Sequence, residues 1–133
     1  MPWLAAPPHG WEGNQPWLPF PPESDELAAE RQRCAPGTTL ELYRRLIAAR
    51  KRSPALLHGD WEELPSHPNV LAYRRQLGND LRVICLNFAD EPHAFPLNGQ
   101  WQIEIASDAQ DEGEPYGGEL AAGQALILSP EAH

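Results

Sequence analysis

Five histidines, two cysteines and nineteen acidic residues are the side chains of this 133-residue chain that could ligate a metal, attack a bond or move a proton. His58, His67 and His93 lie in or beside turn signals, and His9 and His133 lie near the ends. No two histidines have the i, i+4 spacing that places both on one helix face, and neither H-E-x-x-H nor C-x-x-C occurs. The expectation is exposed or locally bonded histidines and no metal. Cys34 and Cys85 stand in different settings, and Cys85 sits in an apolar run where a thiol acts as a small hydrophobe. A disulfide is possible but not implied. The carboxylates cluster in runs such as Asp108, Asp111, Glu112 and Glu114, which read as a solvated loop. No G-x-S-x-G, P-loop or G-x-G-x-x-G appears. The residue types therefore point to no cofactor and to no catalytic set inside the chain.

The elements that position these residues are clearer than the chemistry. Asn69 to Leu97 reads as a meander. Val70–Tyr73 opens a strand, Gly78-Asn79-Asp80 is a turn signal, and Leu81–Phe88 runs back with both faces apolar. Leu81, Val83 and Cys85 point one way, and Ile84, Leu86 and Phe88 the other, so cover on both sides is expected. His93–Leu97 reads as a third, shorter strand. Asp60–Leu64, Trp101–Ile105 and Ala125–Leu128 supply further strands, with Ser129-Pro130 as a stop. About six strands at short spacing predict an antiparallel β-sandwich over 57–130.

One long helix precedes the strands. Thr38-Thr39-Leu40-Glu41 fits a capping box, and Ser53-Pro54 reads as the end. Leu40, Leu42, Tyr43, Leu46, Ile47 and Ala49 form a broad apolar arc, which asks for partners on more than one side. Arg50 falls inside that arc and is expected to snorkel or to pair with a carboxylate. Glu23–Cys34 reads as either a short helix capped by Ser24 or a solvated loop. Residues 1–37 hold Trp3, Trp11 and Trp17 and most of the prolines, which makes irregular backbone. Tryptophans are costly to leave in water, so this stretch either packs on its own domain or covers a surface the chain does not contain. The fold class is thus mainly β (α+β).

Charge narrows the partners. At net −9 and a pI near 4.9, the balance argues against a nucleic-acid or anionic-membrane surface. Met1-Pro2-Trp3 lacks the basic and apolar regions of a signal peptide, and no apolar run reaches the roughly 20 residues of a membrane span. A reduced, cytoplasmic chain is expected.

These residues also carry a resemblance. Met1-Pro2-Trp3, Pro8-His9-Gly10-Trp11 and Pro16-Trp17-Leu18-Pro19 resemble the P-M-P-W, P-H-x-G-F and P-W-L-P motifs late in α-glucosidases of the α-amylase superfamily (glycoside hydrolase family 13). LELYRRLIAARKRSPALLHGDW is similar to that family's L-x-x-Y-R-x-L-I-x-L-R-K-x-x-P-A-L-x-x-G-D. VLAYRR and RVICLNFADEP resemble its V-L-A-Y-x-R and L-V-x-x-N-F-S-D-E-P. The matches occur in family order, and Leu4 departs from the polar or acidic residue of many members.

The resemblance implies a map. Residues 1–37 correspond to the segment after the eighth barrel strand, 38–53 to the last barrel helix, and 57–130 to the C-terminal β-sandwich. Met1, Pro2 and Trp3 would be substrate-adjacent. Tyr43, Trp61 and Phe88 would be structural, as would Arg50 through an ion pair. The partner would be the missing catalytic barrel, with α-gluco-oligosaccharide as the parent's substrate. The resemblance puts the nucleophilic Asp, the acid/base Glu and the stabilising Asp upstream of Met1. Neither Glu12 nor Asp60 is promoted in their place. The rival expectation is a free-standing β-sandwich that binds sugar or protein, with Trp61 and Trp101 as exposed stacking platforms. A degenerate, non-functional remnant is the third.

Overall fold

A computed structural model describes residues 1–11 and 18–131. Glu12, Pro16 and Trp17 of the P-W-L-P motif, and His133 lie outside the described residues. The chain divides into two compact units, Met1–Arg44 and Arg45–His133.

In the first unit, short helix α1 (Ala29–Gln32) has Ala28 at its N-cap, which offers no side-chain acceptor. The backbone supplies what the side chain lacks. The carbonyls of Pro2 and Trp3 accept from the N–H groups of Ala29 and Glu30, at 3.1 and 3.0 Å. Ser24 is therefore not the cap expected of it, and its hydroxyl donates to the Pro21 carbonyl instead. Helix α2 (Thr39–Arg52) starts where its capping residues predict. Thr38 Oγ1 donates backwards to the Gln32 and Ala35 carbonyls, and Glu41 accepts from the Cys34 N–H. Gln32 Oε1 takes the Leu40 N–H at 3.0 Å.

The second unit is built on antiparallel β-structure. Helix α3 (Pro54–His58) begins immediately after α2, so Ser53-Pro54 is a restart as well as a stop. Ser53 is its N-cap, accepting from Leu56 N at 3.2 Å, and Pro54 fills the first turn, where a missing N–H costs nothing. Seven strands follow among the described residues: β1 (Asp60–Glu63), β2 (Val70–Leu77), β3 (Asp80–Asn87), β4 (His93–Ala94), β5 (Trp101–Ala106), β6 (Glu119–Leu120) and β7 (Ala125–Pro130). Five of them form one sheet in the order β1-β2-β3-β7-β5, and β4 pairs with β6 in a second, two-stranded sheet. The hairpin register is Val70↔Asn87 through Leu77↔Asp80, and Gly78 takes φ +59° at its turn. The expected meander ends there, because β4 leaves β3 to join β6. The strand stop expected at Ser129-Pro130 falls inside β7, at an outer position where Pro130 pairs with Trp101.

Directly opposed residues share a sheet face, so the register sorts the side chains. One face carries Val70, Ala72, Val83, Cys85, Leu126, Leu128, Ile103 and Ala106. With Phe95 and Leu120, which adjoin and belong to the two-stranded sheet, these residues form the buried core. Asn87 closes one end of it. Its amide donates to the carbonyls of Glu91 and Ala121, at 2.8 and 2.9 Å, and its oxygen accepts from Ala89 N. On the other face Ile84, Ile105 and Ile127 are buried, so both faces of β3 are covered at its centre, as its composition predicts. The cover stops before Phe88, which is 71% exposed.

Candidate functional site

The expected site residues fall into two groups. In the first unit, Pro2 is buried while Met1 and Trp3 are exposed. The segment folds back on itself through Trp3 N–H to His9 O at 3.0 Å, and Trp11 Nε1 donates to the Met1 carbonyl at 3.1 Å. His9 is buried, bonded through Nδ1 to the Leu4 carbonyl and set edge-on to Phe20 at 4.7 Å. That partnering makes it a local structural histidine. Beside this segment Pro2, Leu27, Ala29, Leu40 and Tyr43 line an open, mainly apolar groove of about 540 Å³. Tyr43, Leu27, Trp11 and Leu18 are exposed as well. The Trp- and Pro-rich start is thus hydrogen-bonded backbone that presents apolar side chains to solvent.

In the second unit the helix residue Arg50 is exposed and donates to the Leu56 carbonyl at 2.7 Å. This contact braces the α2–α3 corner through a carbonyl, where the sequence left snorkelling and a carboxylate partner both open. The ion pairs lie elsewhere. Arg82 joins Asp80 to Glu104, and Arg45 pairs with Glu112 and reaches the Ala106 carbonyl. Burial opposes the charge of Asp80. The Ser53 hydroxyl, the Ala55 N–H and the Arg82 guanidinium outweigh it and hold the carboxyl below its ordinary value. Three of the acidic side chains are thereby committed to structure, and Glu112 also caps Ala106 N.

Burial pushes the Cys85 thiol up to about 12, and Cys85 and Cys34 are both free. Burial likewise raises Tyr116, whose hydroxyl donates to the Phe95 carbonyl at 2.9 Å. His67 and His93 stack at 4.0 Å, a pairing their separation in sequence did not signal. His67 Nδ1 accepts from Asn69 N, and His93 Nε2 is buried without a hydrogen-bond partner among the described residues. No group of three metal-ligating side chains occurs among the described residues.

The β1 edge of the main sheet is open to solvent. Trp61 on β1 is 56% exposed and lies 5.9 Å from the ring of Tyr73 on β2. Trp101 differs: it is half-buried against the core, and its Nε1 donates to Asn98 O at 2.9 Å. Of the two tryptophans that could serve as platforms, the fold leaves only Trp61 well exposed. Next to it Asp60, Trp61, Glu62, Arg74, Gln76 and Leu77 line a cleft of about 450 Å³. Gly59 sets its position. A Cβ there would sit 2.5 Å from the Ala55 carbonyl and 2.8 Å from that of Gln76, so only glycine lets α3 close on β2. The Gly59 carbonyl accepts from Arg75 Nη2 at 2.8 Å. No helix among the described residues is long and apolar enough to cross a membrane.

Comparison with known proteins bears on both groups. The family model described as "Domain of unknown function (DUF3459)" matches residues 64–131. A probable alpha-glucosidase of Rhizobium meliloti (strain 1021) is 36% identical over 92 residues, which are 68% of this chain and 16% of that protein. A glucan 1,6-alpha-glucosidase of Streptococcus dysgalactiae subsp. equisimilis is 32% identical over 84 residues, 63% of this chain and 16% of that protein. The trehalulose synthase MutB of Pseudomonas mesoacidophila MX-45 superposes with a TM-score of 0.81 at 27% identity, over 96% of this chain and 24% of that one. The chain therefore spans about a sixth of the length of these curated relatives.

Proposed function

The chain belongs to the DUF3459 family, the C-terminal domain of α-amylase-family enzymes, and from that premise we propose that it is the non-catalytic C-terminal part of a retaining α-glucosidase. The parent would hydrolyse terminal α-glucosidic bonds of short oligosaccharides in the cytoplasm. The observation that carries this reading is the pair of coverages against MutB: 96% of this chain is accounted for by 24% of that structure. What the relatives have and this chain lacks is the larger part, and a retaining site belongs there. Such a site needs two carboxyl groups about 5–5.5 Å apart across the scissile bond. Here Asp80, Glu104, Glu112 and Glu62 are held by arginines.

The same reading gives a use to the surface that the fold leaves uncovered. In the first unit Met1, Trp3 and Tyr43 and the groove beside them would meet the catalytic barrel, with Met1-Pro2-Trp3 toward the substrate. In the second unit the Phe88 region would serve as a contact with the rest of the parent. The division of the chain into remnant, barrel helix and sandwich is part of this proposal.

The experiment is an assay of the purified chain with a nitrophenyl α-glucoside. No release of nitrophenol is expected. Turnover abolished by an active-site-directed glucosidase inhibitor would overturn the reading.

A further inference from the structure

The geometry points to the cleft between β1 and β2 as a binding site for a neutral saccharide. The register Asp60↔Gln76 and Glu62↔Arg74 places these four side chains on one face of the sheet. It is the face that carries the core, but the core on β2 ends at Ala72. Beyond that point the inner face turns polar and stays open. The recess of about 450 Å³ falls within the roughly 300–1,000 Å³ of small-molecule sites.

The lining selects the class of ligand. Arg74 and Glu62 neutralise one another at 2.6 Å, which leaves Asp60 as the uncompensated charge. A net negative recess disfavours phosphates and other anions. A divalent cation would want several oxygen ligands, and no group of three candidate side chains occurs among the described residues. An apolar ligand would meet the four polar side chains of this face, because Trp61 and Leu77 alternate onto the other one. A polyol answers the whole set. Its hydroxyls can donate to Asp60 and Glu62 and accept from Arg74. Gln76 Nε2 is bonded to Gly78 O at 3.3 Å, which leaves its oxygen to accept from sugar. Stability alone does not account for the arrangement. Carboxylates on an edge strand resist strand pairing, but that does not explain Arg74 and Gln76. An exposed ion pair contributes only ~0–1 kcal/mol.

The test is amide chemical-shift mapping of the full chain with maltotriose and, separately, cellotriose. Saturable shifts confined to 60–62 and 74–78, with a millimolar Kd, are expected. Asp60→Asn and Arg74→Ala should each weaken binding ~10-fold, equivalent to about 1.4 kcal/mol, while the rest of the spectrum stays folded. No saturable shift with either sugar, shifts that map elsewhere, or unchanged affinity in both variants would overturn the site. The choice of an α-linked probe rests on the proposed function. Binding of cellotriose but not maltotriose would support the site and count against that function, so the two can fail separately.

Discussion

Ser53 and Asp80 share a side-chain hydrogen bond of 2.5 Å, which ties the N-cap of α3 to the first residue of β3. Asp80 also accepts the Ala55 N–H at 2.8 Å. One carboxylate therefore serves the first turn of a helix, where acceptors and negative charge are both favoured, and the start of a strand.

Replacing Asp80 by Asn should cost about 1.5–3 kcal/mol at neutral pH, the range for a hydrogen bond that involves a charged group. The pH dependence has a definite sign. The folded carboxyl lies below its ordinary 3.8, so its stabilisation is present above that pH and is lost as pH falls through the folded value. Urea melts of both proteins should differ at pH 7 and converge in strong acid. A constant difference across that range would rule out the charge as the cause.

Gly59→Ala should destabilise the second unit by about 2–4 kcal/mol, because the new methyl meets backbone that cannot rotate away. Thermal melts check this. A change below ~0.5 kcal/mol, the scale of an ordinary surface substitution, would show that α3 and β2 are not held so closely.

Leu120 and Phe88 separate core from surface. Leu120 is fully buried, so Leu120→Ala should cost about 2–5 kcal/mol. Phe88→Ser, at an exposed position, should change stability by under ~0.5 kcal/mol while reducing self-association. Denaturant midpoints and sedimentation report the two effects. Equal losses for both would mean that Phe88 is packed within the chain.

The two thiols should differ in reactivity. Cys34 is exposed, whereas Cys85 is fully buried with its pKa pushed up to about 12. An aromatic disulfide reagent at mildly alkaline pH should titrate one thiol in the native chain and two after unfolding. Two fast thiols in the native protein would contradict the packing of β3. The sign for stability follows from the raised value. Cys85 favours the fold fully below the ordinary thiol value of 9.0 and progressively less as pH rises toward 12.

What was legible in the residues was the local part of the fold. The apolar arc marked α2, the Gly78 turn marked the β2–β3 hairpin, and alternation marked β5. Long-range pairing left no such trace. Nothing local directs β7 between β3 and β5, or sends β4 to a two-residue partner. Helix α3 was hidden because Ser-Pro ends one helix and begins another with the same two residues. The candidate site was legible only in part. Trp61 stood out as an aromatic on a strand, but its exposure and the polar recess beside it depend on cross-strand register and on the edge position of β1. Arg50 stood out by its place in the arc, while its partner is a carbonyl that no motif encodes.

The central claim is that this chain is part of a larger hydrolase, and the DNA on the 5′ side of the Met1 codon tests it most directly. The account predicts an open, in-frame extension encoding a barrel with a nucleophilic Asp, an acid/base Glu and a second Asp. A stop codon immediately upstream would contradict it, and the exposed tryptophans of the first unit would then need a different partner.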